Sequence, residues 1–154
     1  MNDHYKILTK SKFFEDLKIK DRYIIPSRTQ TSGIFSMFQA ASGDNDPIHY
    51  DVEYCKQRGH PNMLAHGIQV LMQTAAGAGT FPNEVKDSLI GMIEIFGKML
   101  KPVYREDTLY PELIITKLTP QKTTGIVEMK AIVHNQNKVL VFEGYHKYLL
   151  KMKL

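Results

Sequence analysis

With 154 residues, 43% hydrophobic and 23% charged, the chain has the length and apolar content of one globular domain, taken as residues 1–154. Lysine and arginine (20) exceed aspartate and glutamate (16) by only 4, a net charge that suits an anionic small ligand, or simple solubility, better than a nucleic acid. The single cysteine, Cys55, excludes an internal disulfide and a cysteine-based zinc site and points to a reducing, cytoplasmic setting.

Residues 1–12 alternate polar and apolar side chains without the apolar stretch of a signal peptide. No apolar run reaches the roughly 18 residues that span a bilayer, so no membrane partner is expected. A short apolar cluster (Phe13, Phe14, Leu17) precedes an extended stretch, Tyr23-Ile24-Ile25, that ends at Pro26. Residues 29–31 read as a short strand. Residues 32–41 read as a helix, with Ser32 as its cap and Ile34, Phe35 and Phe38 at helical spacing. After the turn-rich residues 43–47, Asp51 is placed to cap a helix over 52–58 that stops at Gly59. Residues 66–79 form the strongest helical pattern, through Ile68, Leu71, Met72, Ala75, Ala76 and Ala78. Residues 88–100, 109–118, 125–135 and 138–150 read as strands; in the third, Val127, Met129, Ala131 and Val133 alternate with Ile126, Glu128, Lys130 and Ile132. One long helix followed by four long strands predicts an α+β arrangement, an antiparallel sheet wrapped around that helix.

Two segments carry chemistry. Asp44 and His49, five positions apart, fall on different faces of a helix or a strand and converge only in an irregular loop, which Asp46-Pro47 favours. A carboxyl and an imidazole held on one water form a general acid/base pair. Ala65-His66-Gly67 opens the long predicted helix, where the first backbone N–H groups lack internal partners and Gly67 has no side chain to block approach. A carbonyl oxygen gaining negative charge would be held there. Water addition across an α,β-unsaturated thioester needs both parts. Without further context, residues 43–47 are simply a good turn, His49 and His66 are ordinary structural histidines, and Gly67 relieves crowding.

The string Ser42-Gly43-Asp44-Asn45-Asp46-Pro47-Ile48-His49-Tyr50-Asp51, followed by Ala65-His66-Gly67, resembles the MaoC-like, (R)-specific enoyl-CoA hydratases of the hot-dog fold. Phe14-Glu15-Asp16-Leu17, Lys101-Pro102-Val103, Asp107-Thr108-Leu109 and Asn135-Gln136-Asn137 agree with it, so the similarity runs through nearly the whole chain. The resemblance implies reversible hydration of a trans-2-enoyl-CoA to an (R)-3-hydroxyacyl-CoA. Asp44 and His49 would activate the water and the Gly67 N–H would bind the thioester carbonyl. It implies no metal or redox cofactor, coenzyme A as part of the substrate with an acyl-carrier protein as the alternative carrier, and a homodimer with edge-paired sheets. The family usually has asparagine where Asp46 stands; this second carboxylate leaves the division of proton roles open. Asp46 and His66 are therefore supporting candidates.

A metal site from Asp44, Asp46, His49, His60 and His66 is chemically conceivable, but the spacing matches no metal signature. Arg58, Lys98, Lys101 and Lys147 are the cations considered for coenzyme A phosphates. Met63, Met72, Met92 and Met99 are core filler or the lining of an adaptable acyl pocket. Two rival functions are a hot-dog thioesterase and a non-catalytic acyl-CoA-binding or stabilising subunit.

Overall fold

The alternating apolar pattern of the second half builds one sheet. In the computed structural model, which describes residues 10–153, two short strands, β1 (Arg22–Ile24) and β2 (Arg28–Thr29), precede four long ones. These are β3 (Leu89–Met99), β4 (Thr108–Pro120), β5 (Thr124–Asn135) and β6 (Leu140–Lys151). All pairings are antiparallel, in the order β1-β4-β5-β6-β3, with β2 added on β4. The expected alternation in β5 is present: Val127, Met129, Ala131 and Val133 are fully buried, while Lys130 between them is exposed. Directly paired residues share a face, so Phe142 and His146 of β6 and Leu113 and Ile115 of β4 join them on the inner side. Most of residues 1–12, read above for a targeting segment, lies outside the described residues. Among the described residues no helix is long and apolar enough to cross a membrane.

Helices cover the inner face: α1 (Ser32–Ser42), α2 (Val52–Gln57), α3 (Gly67–Met72) and α4 (Phe81–Glu84). Asp51 caps α2 as expected, its carboxylate accepting from the Glu53 and Tyr54 N–H groups. The cap position of α1 is Thr31 and not Ser32, which is the first helical residue.

The larger correction concerns the long helix expected over 66–79. α3 ends at Met72, and a 3-10 turn over Ala76–Ala78 and then α4 follow. The break has a local cause. The Thr74 hydroxyl donates to the Leu71 carbonyl at 2.7 Å and meets His146 Nε2 at 2.9 Å, while Ala75 leaves the helical region at φ −55, ψ 116. Gly77 and Gly79 add little helix propensity to resist this. An apolar 3.6-residue pattern continues across the break because the face toward the sheet remains buried, whatever the backbone does.

The shortened helix leaves the edge strand β3 thinly covered. Met92, Ile95 and Met99 face inward opposite Tyr148, His146 and Phe142, yet they remain 45%, 44% and 45% exposed. With Ile68 and Met72 of α3 they form an apolar patch beside a strand edge that no other strand pairs among the described residues.

Candidate active site

A cascade of side-chain bonds shapes the loop after α1. Gly43 closes the helix in the left-handed region (φ 74), its N–H on the Gln39 carbonyl. The Ser42 hydroxyl donates to the Phe38 carbonyl (2.7 Å) and accepts from the Asp44 N–H (3.2 Å). Asp44 Oδ1 accepts from the Asp46 N–H (3.1 Å), and Asp46 Oδ1 accepts from the Ile48 N–H (3.0 Å), capping the 3-10 turn Pro47–His49. Gln39 also donates to Asn45. Ser42, Asp44 and Asp46 thus each satisfy the backbone donor two residues further on, and Asn45 donates to the Gly43 carbonyl (3.2 Å), which is why this composition forms a rigid loop. The Asp46 carboxylate is occupied as a cap, a task asparagine performs equally well.

The turn leaves His49 half-buried. Its Nδ1 lies 2.6 Å from the Leu64 carbonyl. A carbonyl only accepts, so Nδ1 carries the proton and a neutral His49 keeps its lone pair on Nε2, the form a general base requires. The Leu64 N–H in turn reaches the Ile48 carbonyl (3.1 Å), and Ala65 pairs with Val103, so the strand-like residues 64–65 lock the turn to the start of α3.

His66 lies beneath His49, with ring centroids 3.5 Å apart and planes 24° apart, against Phe38 on another side. It is 5% exposed. A buried amide chain sets its tautomer: Gln30 donates to the Arg28 carbonyl (3.3 Å), Gln69 donates to Gln30 Oε1 (3.2 Å), and His66 Nδ1 meets the remaining Gln69 Oε1 (3.3 Å). Nδ1 is therefore the donor, and Nε2 accepts from the Tyr50 hydroxyl (3.2 Å) while facing Asp44 Oδ2 at 3.4 Å. Burial, assisted by the neighbouring His49, holds the His66 imidazole below its ordinary value against the Gln69 bond and the Asp44 and Asp46 carboxylates. Burial and the Asp44 charge push the Tyr50 phenol up, which keeps it protonated as a donor.

The structure thus brings together Asp44, His49, His66 and Gly67, which with Phe38 and Met99 line a cavity of about 430 Å³. Gly67 opens α3, whose cap residue His66 makes no side-chain bond to the backbone N–H groups of the first turn. A β-carbon at position 67 would stand 3.0 Å from Met99 Cε, so the glycine also relieves a close contact. Among the described residues, Asp44, His49 and His66 form the one cluster of metal-type ligands, their atoms within 4.8 Å of one another. The stacked rings hold their in-plane lone pairs in nearly parallel planes instead of aiming them at one point, an arrangement better suited to moving protons than to holding an ion. His60 stands apart from the cluster, on the Tyr104 hydroxyl at 3.2 Å. Of the cations considered above, Lys101 lines a second cavity beside Gly67, whereas Lys147 is paired with Glu94 at 2.8 Å and Arg58 lies over the Tyr54 ring.

The family model for the MaoC like domain matches residues 17–137, and with them the whole Asp44–Gly67 region. The chain belongs to the MaoC-like domain family. Solved structures agree on the fold. A monoamine oxidase regulatory protein from Archaeoglobus fulgidus is 21% identical with TM-score 0.81, covering 97% of this chain and 100% of that one. The R-hydratase PhaJ1 from Pseudomonas aeruginosa is 20% identical with TM-score 0.76, covering 92% and 86%. The HadBC (3R-hydroxyacyl-ACP dehydratase) complex from Mycobacterium tuberculosis is 17% identical with TM-score 0.72, covering 85% and 96%. No curated protein sequence matches the chain. The expected α+β, hot-dog architecture is therefore observed, with a six-residue central helix in place of the long one. Within this MaoC-like site, Tyr50 and Gln69 are the participants that sequence reading missed, whereas Met99, read as core filler or pocket lining, lines the cavity. Gln69 had a signal available, as a polar residue three positions after His66 on an apolar helix.

Proposed function

We propose that the protein is a hydro-lyase that reversibly adds water to a trans-2-enoyl-CoA, giving an (R)-3-hydroxyacyl-CoA. The observation that carries the reading is that Asp44, His49 and the Gly67 backbone line one cavity. The Gly67 N–H receives the thioester carbonyl, which polarises the conjugated double bond and favours attack at the β-carbon. Water lies between Asp44 and His49. His49 Nε2 takes one of its protons as the oxygen bonds to the β-carbon, and Asp44 delivers a proton to the α-carbon. Solvent then returns the His49 proton to the carboxylate, so the sum is one water across the double bond. Asp46 and His66 hold this pair in place, Asp46 by capping the 47–49 turn and His66 by facing the Asp44 carboxylate while stacking beneath the His49 ring.

Coenzyme A enters as part of the substrate, with an acyl-carrier protein as the alternative carrier, and the reaction needs no separate cofactor. The apolar patch on β3 and α3 adjoins the cavity through Ile68 and Met99, which supports a homodimer joined along that edge. Incubation with crotonyl-CoA tests the reading: enoyl absorbance falls without release of free thiol. Thiol release would assign a thioesterase instead, and an unchanged solution would leave only acyl-CoA binding.

A further inference from the structure

Two cavities meet at Gly67. The first holds Asp44, His49 and His66; the second, of about 330 Å³, is walled by Leu64, Ala65, Val70, Val103 and Val141, with Lys101 at its rim. Only Gly67 and Met99 line both. Met99 is the last residue of β3 and faces inward opposite the fully buried Phe142. The strand reaches this position because Gly97, two residues earlier, leaves room for the Phe142 ring, which a β-carbon there would meet at 2.5 Å. The Met99 side chain then lies along the bare Cα of Gly67, its Cε, Cγ and Sδ at 3.0, 3.4 and 3.5 Å from where a β-carbon would be. Only one flank is packed, since the residue is 45% exposed. An unbranched thioether with three rotatable bonds can leave such a position at small cost.

We propose that Met99 is the specificity-determining residue of this site, a movable partition whose position sets the length of acyl chain accepted. The inference rests on the enoyl-thioester reading. With the carbonyl on Gly67 and the β-carbon at the Asp44/His49 water, a short acyl chain ends within the first cavity. A longer one has to pass the Met99 side chain into the second. The walls of that chamber match a methylene chain. The two amides of a pantetheine arm would find no side-chain partner there except Lys101.

Saturated acyl-CoAs, from butanoyl to dodecanoyl, report on the partition without turnover. Their affinities are measured by titration calorimetry on the wild type, Met99→Ala and Met99→Phe, with melting curves confirming that each variant folds. In the wild type, affinity rises with chain length, by about fourfold per buried methylene, until the partition is met. In Met99→Ala the rise continues to longer chains, so that decanoyl-CoA binds at least tenfold tighter than to wild type while butanoyl-CoA changes least. In Met99→Phe the rise stops sooner. Superimposable ladders, a uniform loss in Met99→Ala at every length, or no binding by any of the three proteins would overturn the proposal. A wild type that shows the ladder but leaves crotonyl-CoA unhydrated would remove the hydratase reading and leave the partition standing.

Discussion

Asp44, Asp46 and His49 share one loop but do different work, and substitutions should separate them. On the proposed mechanism Asp44→Asn removes the proton donor and His49→Ala removes the base, so each should lower kcat on crotonyl-CoA by about a hundredfold or more. Asp44→Asn should not shift the melting temperature much, because the Asp44 side chain is half exposed and the turn is capped by Asp46. Asp46→Asn keeps an acceptor for the Ile48 N–H and should leave both stability and turnover close to wild type. Asp46→Ala should cost about 1 kcal/mol, read from urea unfolding, through loss of the cap. If Asp46→Asn instead abolished turnover while melting normally, the proton roles would belong to Asp46. Little of this division was legible in the sequence. Spacing shows that Asp44 and His49 need a loop to meet, but which carboxylate caps and which faces the cavity depends on backbone donors two residues further along.

At the scale of elements, the strands were legible and the central helix was not. β5 is read from Val127, Met129, Ala131 and Val133 because each buried position follows from a two-residue period, and pairing on both sides leaves the strand no alternative. The helical period of 66–79 records only which face is buried, so it runs on through the break at Thr74, where a hydroxyl turns toward His146. His146 itself gives the layer between helix and sheet a pH dependence. Fully buried, with Nε2–H on Thr74 and Nδ1 accepting from the Tyr148 hydroxyl (3.0 Å), its imidazole is pushed down to about 4 by burial. The unfolded chain binds this proton near 6.5 and the folded one only near 4, so stability is full above 6.5 and is lost as pH falls through that window. The loss amounts to roughly 3 kcal/mol at most. Urea unfolding at pH 7.5 and pH 4.5 should show a larger difference for the wild type than for His146→Gln; equal differences would place the acid sensitivity elsewhere.

At the scale of the molecule, among the described residues β3 ends the sheet with unpaired backbone groups and inward apolar side chains that the short α3 does not cover. A second copy joined along this edge would bury Ile95 and Met92 and screen the cavity beside Met99 from water. Sedimentation of the wild type should give twice the 17.7 kDa chain mass, and Ile95→Lys should shift it toward the monomer with reduced activity. A monomeric, fully active wild type would contradict this assembly.

The central claim is that the loop water bonds to the β-carbon of an enoyl thioester held on Gly67. Reaction of crotonyl-CoA in water enriched in oxygen-18, followed by chiral mass analysis of the product, tests it most directly. The account predicts one heavy oxygen in the 3-hydroxyl group of (R)-3-hydroxybutanoyl-CoA, with the thioester intact. Heavy oxygen in a released carboxylate, or in the (S)-3-hydroxy product, would contradict it.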